Sequence, residues 1–304
     1  MRSRRSSRAA MRLAIAAVLG CLGLLLALYP PPVEAGATVT EIGKTTGTSS
    51  SPYHISLTAG CSAGGGIVIA AGKDSNTTIT YTVTDNTTGG PNTYQTDANQ
   101  ADGDYVAAAL ISAYVAHAFT ASNTITITPS VDGHLNFIVL CVSTMASSSW
   151  LDAHRTDDIT SGTTNPTSGS LAPASSPTVA IAAFHCDLCS AFSAYGNIIG
   201  SAATGIDNVA FDSRILAVQW RELSSTTGGT TNLNWSGSVD DTVIAFATYK
   251  EGSGGGGGGS PHSLPAMGCC GLLRSASQGP GAPAAEGATR TTRPAPPSIP
   301  PVER

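Results

Sequence analysis

The chain has 304 residues, 12% of them charged, with a formal net charge of -5. That charged share is about half the usual one, and Thr, Ser, Gly, Ala and Asn fill the gap. Such a composition argues against a helical bundle, whose surface needs Lys, Glu and Arg. An acidic body with scattered cations lacks the basic face that nucleic acid requires.

The first segment reads as an export address. Arg2, Arg4, Arg5, Arg8 and Arg12 precede an apolar run from Leu13 to Tyr29, then Pro30–Pro32 and Val33-Glu34-Ala35. A charged region, an apolar region and small residues before a cut define a signal peptide over residues 1–35. The same run is near the ~17-residue lower limit for a spanning helix, so a retained anchor over residues 13–29 is the alternative. Val18-Leu19-Gly20-Cys21 resembles a lipoprotein cleavage box, and Ser3-Arg4-Arg5 a twin-arginine signal. The expected location is secreted or at the cell surface, with membrane contact only through this segment.

Residues 36–251 carry the pattern of an all-β domain, a single antiparallel sandwich of jelly-roll or immunoglobulin-like kind. Period-2 alternation and β-branched runs predict strands at Ala37–Ile42, Tyr53–Thr58, Gly66–Ala71, Thr77–Thr84 and Val106–Phe119. Further strands are predicted at Thr124–Thr128, Leu135–Thr144, Thr178–Phe184, Arg214–Leu223, Thr231–Ser236 and Asp241–Tyr249. Thr78–Thr84 and Asn123–Thr128 alternate cleanly, one face toward a core and one toward water. Ala107–Phe119 fits helical spacing nearly as well as a strand. Asp157–Pro177, rich in Ser, Thr, Gly and Pro, reads as a long surface loop. Residues 252–260 form a glycine-rich linker. Residues 261–304, rich in Pro, Ala and Thr, lack the apolar content to fold alone, although Met267–Leu273 could dock on a partner or carry a lipid.

Thr82-Val83-Thr84-Asp85 followed by Gly90-Pro91-Asn92-Thr93-Tyr94 resembles a hairpin of β-sandwich modules found in phage virion proteins and in bacterial surface and secreted proteins. Trp220–Leu223, Asn234–Gly237 and Val243–Lys250 are similar to the last three strands of those modules. The resemblance spans Tyr53–Lys250. It implies a structural or adhesive role, with a surface glycan or an envelope or virion protein as partner. It supplies no catalytic residue.

Four constellations could carry chemistry. Gly60-Cys61-Ser62-Ala63-Gly64 matches the nucleophile elbow, which needs a strand before the serine and a helix after it. The next residues, Gly65–Ala71, read as another strand, so a serine hydrolase using Ser62, with His154 or His185 as base, is the remote alternative. His185-Cys186-Asp187-Leu188-Cys189 is the densest ligand cluster. Its cysteines form a local disulfide, stay free or pair with Cys61 or Cys141, or hold a metal. Asp97, Asp102 and Asp104 suggest a Ca²⁺ loop, without EF-hand spacing, and Asp157-Asp158 and Asp240-Asp241 are weaker acidic pairs. Trp150 and Trp235 neighbour polar residues and are candidates for a sugar-stacking platform, with Tyr94 and Tyr105 beside them. Trp220 reads as core. No set of residues forms a catalytic group, so the reading is of a non-enzymatic structural or adhesive protein without a required cofactor. A carbohydrate-binding module is the main alternative.

Overall fold

Continuous apolar runs and alternating runs settle into different layers. The computed structural model describes residues 36–252 except 48–50, 161, 190, 195, 212, 237 and 238, and only the backbone of 191–194. The expected signal or anchor, most of the glycine linker and the tail lie outside the described residues. Among the described residues every regular element is a strand.

The first half contains β1 (Val39–Gly47), β2 (Tyr53–Ser56), β3 (Gly66–Asp74) and β4 (Tyr81–Asp85). It continues with β5 (Tyr94–Ala101), β6 (Val106–Tyr114), β7 (Thr124–Pro129) and β8 (Leu135–Val142). They pair antiparallel into a large sheet, β1-β8-β3-β6-β5, and a small one, β2-β7-β4. The second half contains β9 (Leu151–Ile159), β10 (Thr178–Cys186), β11 (Ala191–Ala194), and the short β12 (Asn197–Ile198) and β13 (Ser201–Ala202). β14 (Gly205–Phe211), β15 (Arg214–Leu223), β16 (Asn234–Ser236) and β17 (Thr242–Lys250) complete it. Its large sheet runs β9-β17-β10-β15-β14.

When the Thr164–Thr167 segment that borders β16 is counted as the second strand of the second half, and the short β12 and β13 are left out, both large sheets follow one order: first, last, third, sixth, fifth. The small sheets repeat as well. In the second half β16 pairs with β11 on one side. On its other side the Trp235 amide donates to Thr164 O at 2.8 Å, and Thr167 bridges Asn232. This is jelly-roll connectivity, present twice in one chain with β12–β13 as an insertion. The expected jelly-roll sandwich is therefore built from two copies of the motif.

The two large sheets face each other. Val68, Ala70, Leu110 and Leu140 from one meet Ile181, Val218, Ala245 and Tyr249 from the other. Their outer faces are also covered. Ile67, Ile69, Ile111 and Phe137 pack under the first small sheet. Phe184, Phe246, Leu233 and Trp235 form the matching outer core. Strands buried on both faces read as unbroken apolar runs, which is why β3, β6, β10 and β17 are almost wholly buried. β7 covers one face only and keeps its alternation.

The same logic resolves Ala107–Phe119. Ala107, Ala108, Ala109 and Ala113 are small because layers press on both sides. Tertiary packing overrides alanine's helix propensity, and β6 forms over Val106–Tyr114. The loop expected at Asp157–Pro177 begins inside β9, and the described residues of 160–177 then carry isolated bridges at Thr167 and Leu171. Leu171 is buried against the second half's outer core.

Candidate functional site

Antiparallel register sorts every connection to one of two ends. Asp74 aligns with Val106, and Lys73 with Leu135, at one end of the first large sheet. Cys186 aligns with Ile215 and Thr242 at one end of the second. Arg214 joins these ends, 3.3 Å from Asp74 Oδ2 and 3.3 Å from Asp187 Oδ1. So the loops that join first to second, third to fourth, fifth to sixth and seventh to eighth strands lie together at one end, in both halves. The exposed large hydrophobic side chains among the described residues are Tyr105 (60%), Leu188 (53%) and Val131 (47%), and all three belong to this loop end.

Local chemistry shapes the turns there. In the β5–β6 hairpin Asp102 Oδ1 accepts the amides of Asp104, Tyr105 and Val106 at 2.7, 2.9 and 3.1 Å. Gly103 has φ +90°, which suits glycine. This turn projects Asp104 and Tyr105 outward. The Asp187 amide donates to Asp241 O and the Asp240 amide to Asp187 O, tying the turn after β10 to the entry of β17. Cys186 and Cys189 form a local disulfide with Cα atoms 6.1 Å apart. Between them Leu188 takes φ +52° and points to solvent.

Carboxylates crowd this end. Burial pushes the Asp241 carboxyl above the ordinary range, and Asp240, Asp102, Asp104 and Asp158 push it further. Burial, then Asp102 and Asp104, raise Asp158 likewise. His185 lies between the large sheets, its Cδ2 2.5 Å from where a Cβ on Gly72 would sit, so only glycine fits beneath the ring. Burial first, and Arg214 second, push His185 down to about 3, leaving it neutral.

The raised carboxyls have a definite consequence for pH. The folded state takes up these protons at higher pH than the unfolded chain. Their stabilising contribution is complete below the unfolded carboxyl value and is lost as pH rises through the folded one. Asp158→Asn with Asp241→Asn should raise the urea midpoint at about pH 7 and shrink the gain on acidification to about pH 5. An unchanged difference between the two pH values would show that the carboxylates do not repel one another.

The Ca²⁺ loop expected from Asp97, Asp102 and Asp104 does not form. Asp97 is the extra residue of a β-bulge between Thr96 and Ala98, and the bulge turns it inward. It is buried, and it accepts from Tyr249 Oη and Gln95 Nε2, each at 2.8 Å. Burial raises its carboxyl despite hydrogen bonds from Ser112, Tyr249 and Gln95. Ser112 Oγ in turn accepts from Trp150 Nε1 at 2.7 Å. This is a seam between the halves, remote from Asp102 and Asp104. Among the described residues no three His, Cys, Asp or Glu side chains are placed to hold a metal ion.

The paired-tryptophan platform is also corrected. Trp235 is 3% exposed inside the outer core of the second half. Trp150 is half-buried against the central core, its ring NH committed to Ser112. The two rings belong to different layers, so they share no face. Trp220 packs against the central core.

Ser62 is exposed in a turn between the Cys61–Phe119 bridge and β3. A strand stands where the elbow needs a helix, and neither His154 nor His185 hydrogen-bonds to its hydroxyl. Cys61 is joined to Cys141, with Cα atoms 5.6 Å apart.

Thr82–Asp85 and Asn92–Tyr94 are tied together around one carboxylate. Asp85 accepts from Thr87 N and Oγ1, from Asn92 N and Nδ2, and from Tyr94 Oη. Burial raises this carboxyl, yet those hydrogen bonds together hold it below the ordinary value. Asn92 Oδ1 then accepts the amides of Ala116 and His117. The pattern encodes the crossing from β4 to β5 rather than a ligand site.

No family model, curated protein or solved structure matches the chain.

Proposed function

We propose that this chain is a non-enzymatic structural or adhesive protein, secreted or displayed at a surface, that engages its partner through the loop end. The observation that carries this reading is the convergence of both halves' loops on one end, together with the exposed Tyr105, Leu188 and Val131. Exposed apolar side chains gathered at one end favour a contact surface there, where scattered ones would not. The described chain begins and closes at the other end, where the Ala37 amide donates to the Glu251 carboxylate at 3.1 Å. The segments before residue 36 and after residue 252 join the described chain at that end. Export and surface display rest on the Arg2–Ala35 segment and on the resemblance of Tyr53–Lys250 to virion and surface modules.

The test compares the full chain with its Tyr105→Ser, Leu188→Ser variant in binding to purified cell envelopes and to a glycan array. Both positions are exposed, so the fold should survive. Loss of binding in the variant supports the loop end. Equal binding by both chains places the contact elsewhere, and no binding by either leaves only a passive structural role. A fluorophosphonate probe should leave the chain unlabelled; labelling that disappears in Ser62→Ala would replace this reading with a hydrolase.

A further inference from the structure

The loop end carries more negative charge than its neighbours offset. Asp102 and Asp104 from the first half face Asp158, Asp240 and Asp241 from the second. The nearby cations are already engaged. Arg214 is shared between Asp74 and Asp187. Lys73 donates to Asp74 O at 2.9 Å, and Arg155 forms a forked pair with Asp157.

One carboxylate stands apart. Asp241 is only 9% exposed, yet its side chain accepts no hydrogen bond and forms no ion pair among the described residues. Asp102 is in a related condition, because its Oδ1 serves three amides while Oδ2 is buried without a partner. One buried acceptor oxygen without a donor, Asp102 Oδ2, and one carboxylate without a protein partner, Asp241, therefore lie at this end. Tyr105, on the hairpin of Asp102, and Leu188, on the turn bonded to Asp240 and Asp241, supply apolar surface beside it.

The occupant is narrowed by reach. A divalent ion needs several oxygens within about 2.6 Å of one point, and among the described residues no three carboxylates are so placed. A lysine or arginine side chain brings several donors on a long stem and can span separated acceptors. We propose that the partner at the loop end is a basic protein surface, whose lysine or arginine side chains enter among Asp102, Asp158 and Asp241 while its apolar atoms cover Tyr105 and Leu188. This inference rests on the reading of the loop end as the contact face.

Poly-L-lysine and poly-L-glutamate surfaces serve as probes for the full chain, with retention followed over a salt titration. The discriminating variant is Asp158→Asn with Asp241→Asn. The control, Glu41→Gln with Glu222→Gln, removes the same formal charge away from the loop end. Wild type and control should be retained by poly-L-lysine, and the aspartate variant about tenfold more weakly, as expected for losing two charge pairs of up to about 1 kcal/mol each. Retention of the wild type should fall as salt rises. An equal loss in the control would reduce the effect to net charge and overturn the proposal. Saturable Ca²⁺ binding that the aspartate variant abolishes, without preference for poly-L-lysine, would overturn it in favour of a metal site. Envelope binding lost in Tyr105→Ser, Leu188→Ser but unchanged in the aspartate variant would remove the cationic partner and leave the loop end standing. Envelope binding unchanged in both would remove both readings.

Discussion

Replacing Cys61 and Cys141 together by alanine is expected to cost about 4 kcal/mol of folding stability. The bond closes a loop with a sequence separation of 80. Cross-linking so long a segment removes a large share of the unfolded chain's freedom, on the order of 4–5 kcal/mol in the loop-entropy account. It also pins the strand entry at the Cys61–Phe119 bridge to the end of β8, beside the first outer core. The Cys186–Cys189 bond spans a separation of 3, and the same account assigns it about 2 kcal/mol. Urea unfolding of both double variants gives the comparison. Equal losses, or a larger loss from Cys186→Ala with Cys189→Ala, would mean that loop entropy does not govern these bonds.

Tyr249 is expected to hold the two jelly rolls together more than any other polar side chain. It is fully buried in the central core, and its hydroxyl donates to Asp97 of the other half. Tyr249→Ala removes a large aromatic from a close-packed interior, a loss of about 3–5 kcal/mol. Tyr249→Phe keeps the ring and strips a donor from a buried carboxyl, costing about 1–3 kcal/mol. That second variant has a pH signature. The Tyr249 hydrogen bond lowers an Asp97 carboxyl that burial has raised. Losing it raises the folded value further above the unfolded one. The added stability is complete below the unfolded value and is lost as pH rises through the folded one. Tyr249→Phe should therefore recover more stability than wild type between about pH 7 and about pH 5. An identical pH dependence would show that Asp97 does not depend on Tyr249.

The predicted strands show where reading by periodicity succeeds. Arg214–Leu223 matches β15 at both ends, and Gly66–Ala71 and Thr178–Phe184 stop a few residues short of β3 and β10. Those strands are apolar on both faces, so their signal is strong. The unforeseen strands are edges. β5 carries Gln95, Asp97, Asn99 and Gln100, and β9 carries Asp152, Arg155, Asp157 and Asp158. An edge strand meets its neighbour on one side only and tolerates polar side chains, so neither apolar run nor clean alternation survives. β14 is missed for the same reason.

The loop end is legible in the sequence only in fragments. Asp102 and Asp104 are visible as an acidic turn, and Asp157-Asp158 and Asp240-Asp241 as separate pairs. Grouping Asp97 with Asp102 and Asp104 fails because a bulge reverses the side of the sheet it faces. Leu188 looks like filler in Cys-x-x-Cys until its positive φ turns it outward. Trp235 looks exposed because Asn234 and Ser236 flank it, yet alternation along β16 points the ring inward.

By itself the sequence determined an all-β chain, punctuated turns and an acidic body. These are properties of composition and short-range periodicity, each set by a few neighbouring residues. Only the tertiary structure decided that the strand order repeats, that two large sheets stack between two small coverings, and that the loops of both halves share one end. The physical reason is that strand pairing joins residues far apart in the chain, with register set by cross-strand packing rather than by local pattern. Asp102 and Asp241 carry no local sign of each other, and antiparallel register is what brings them to one end.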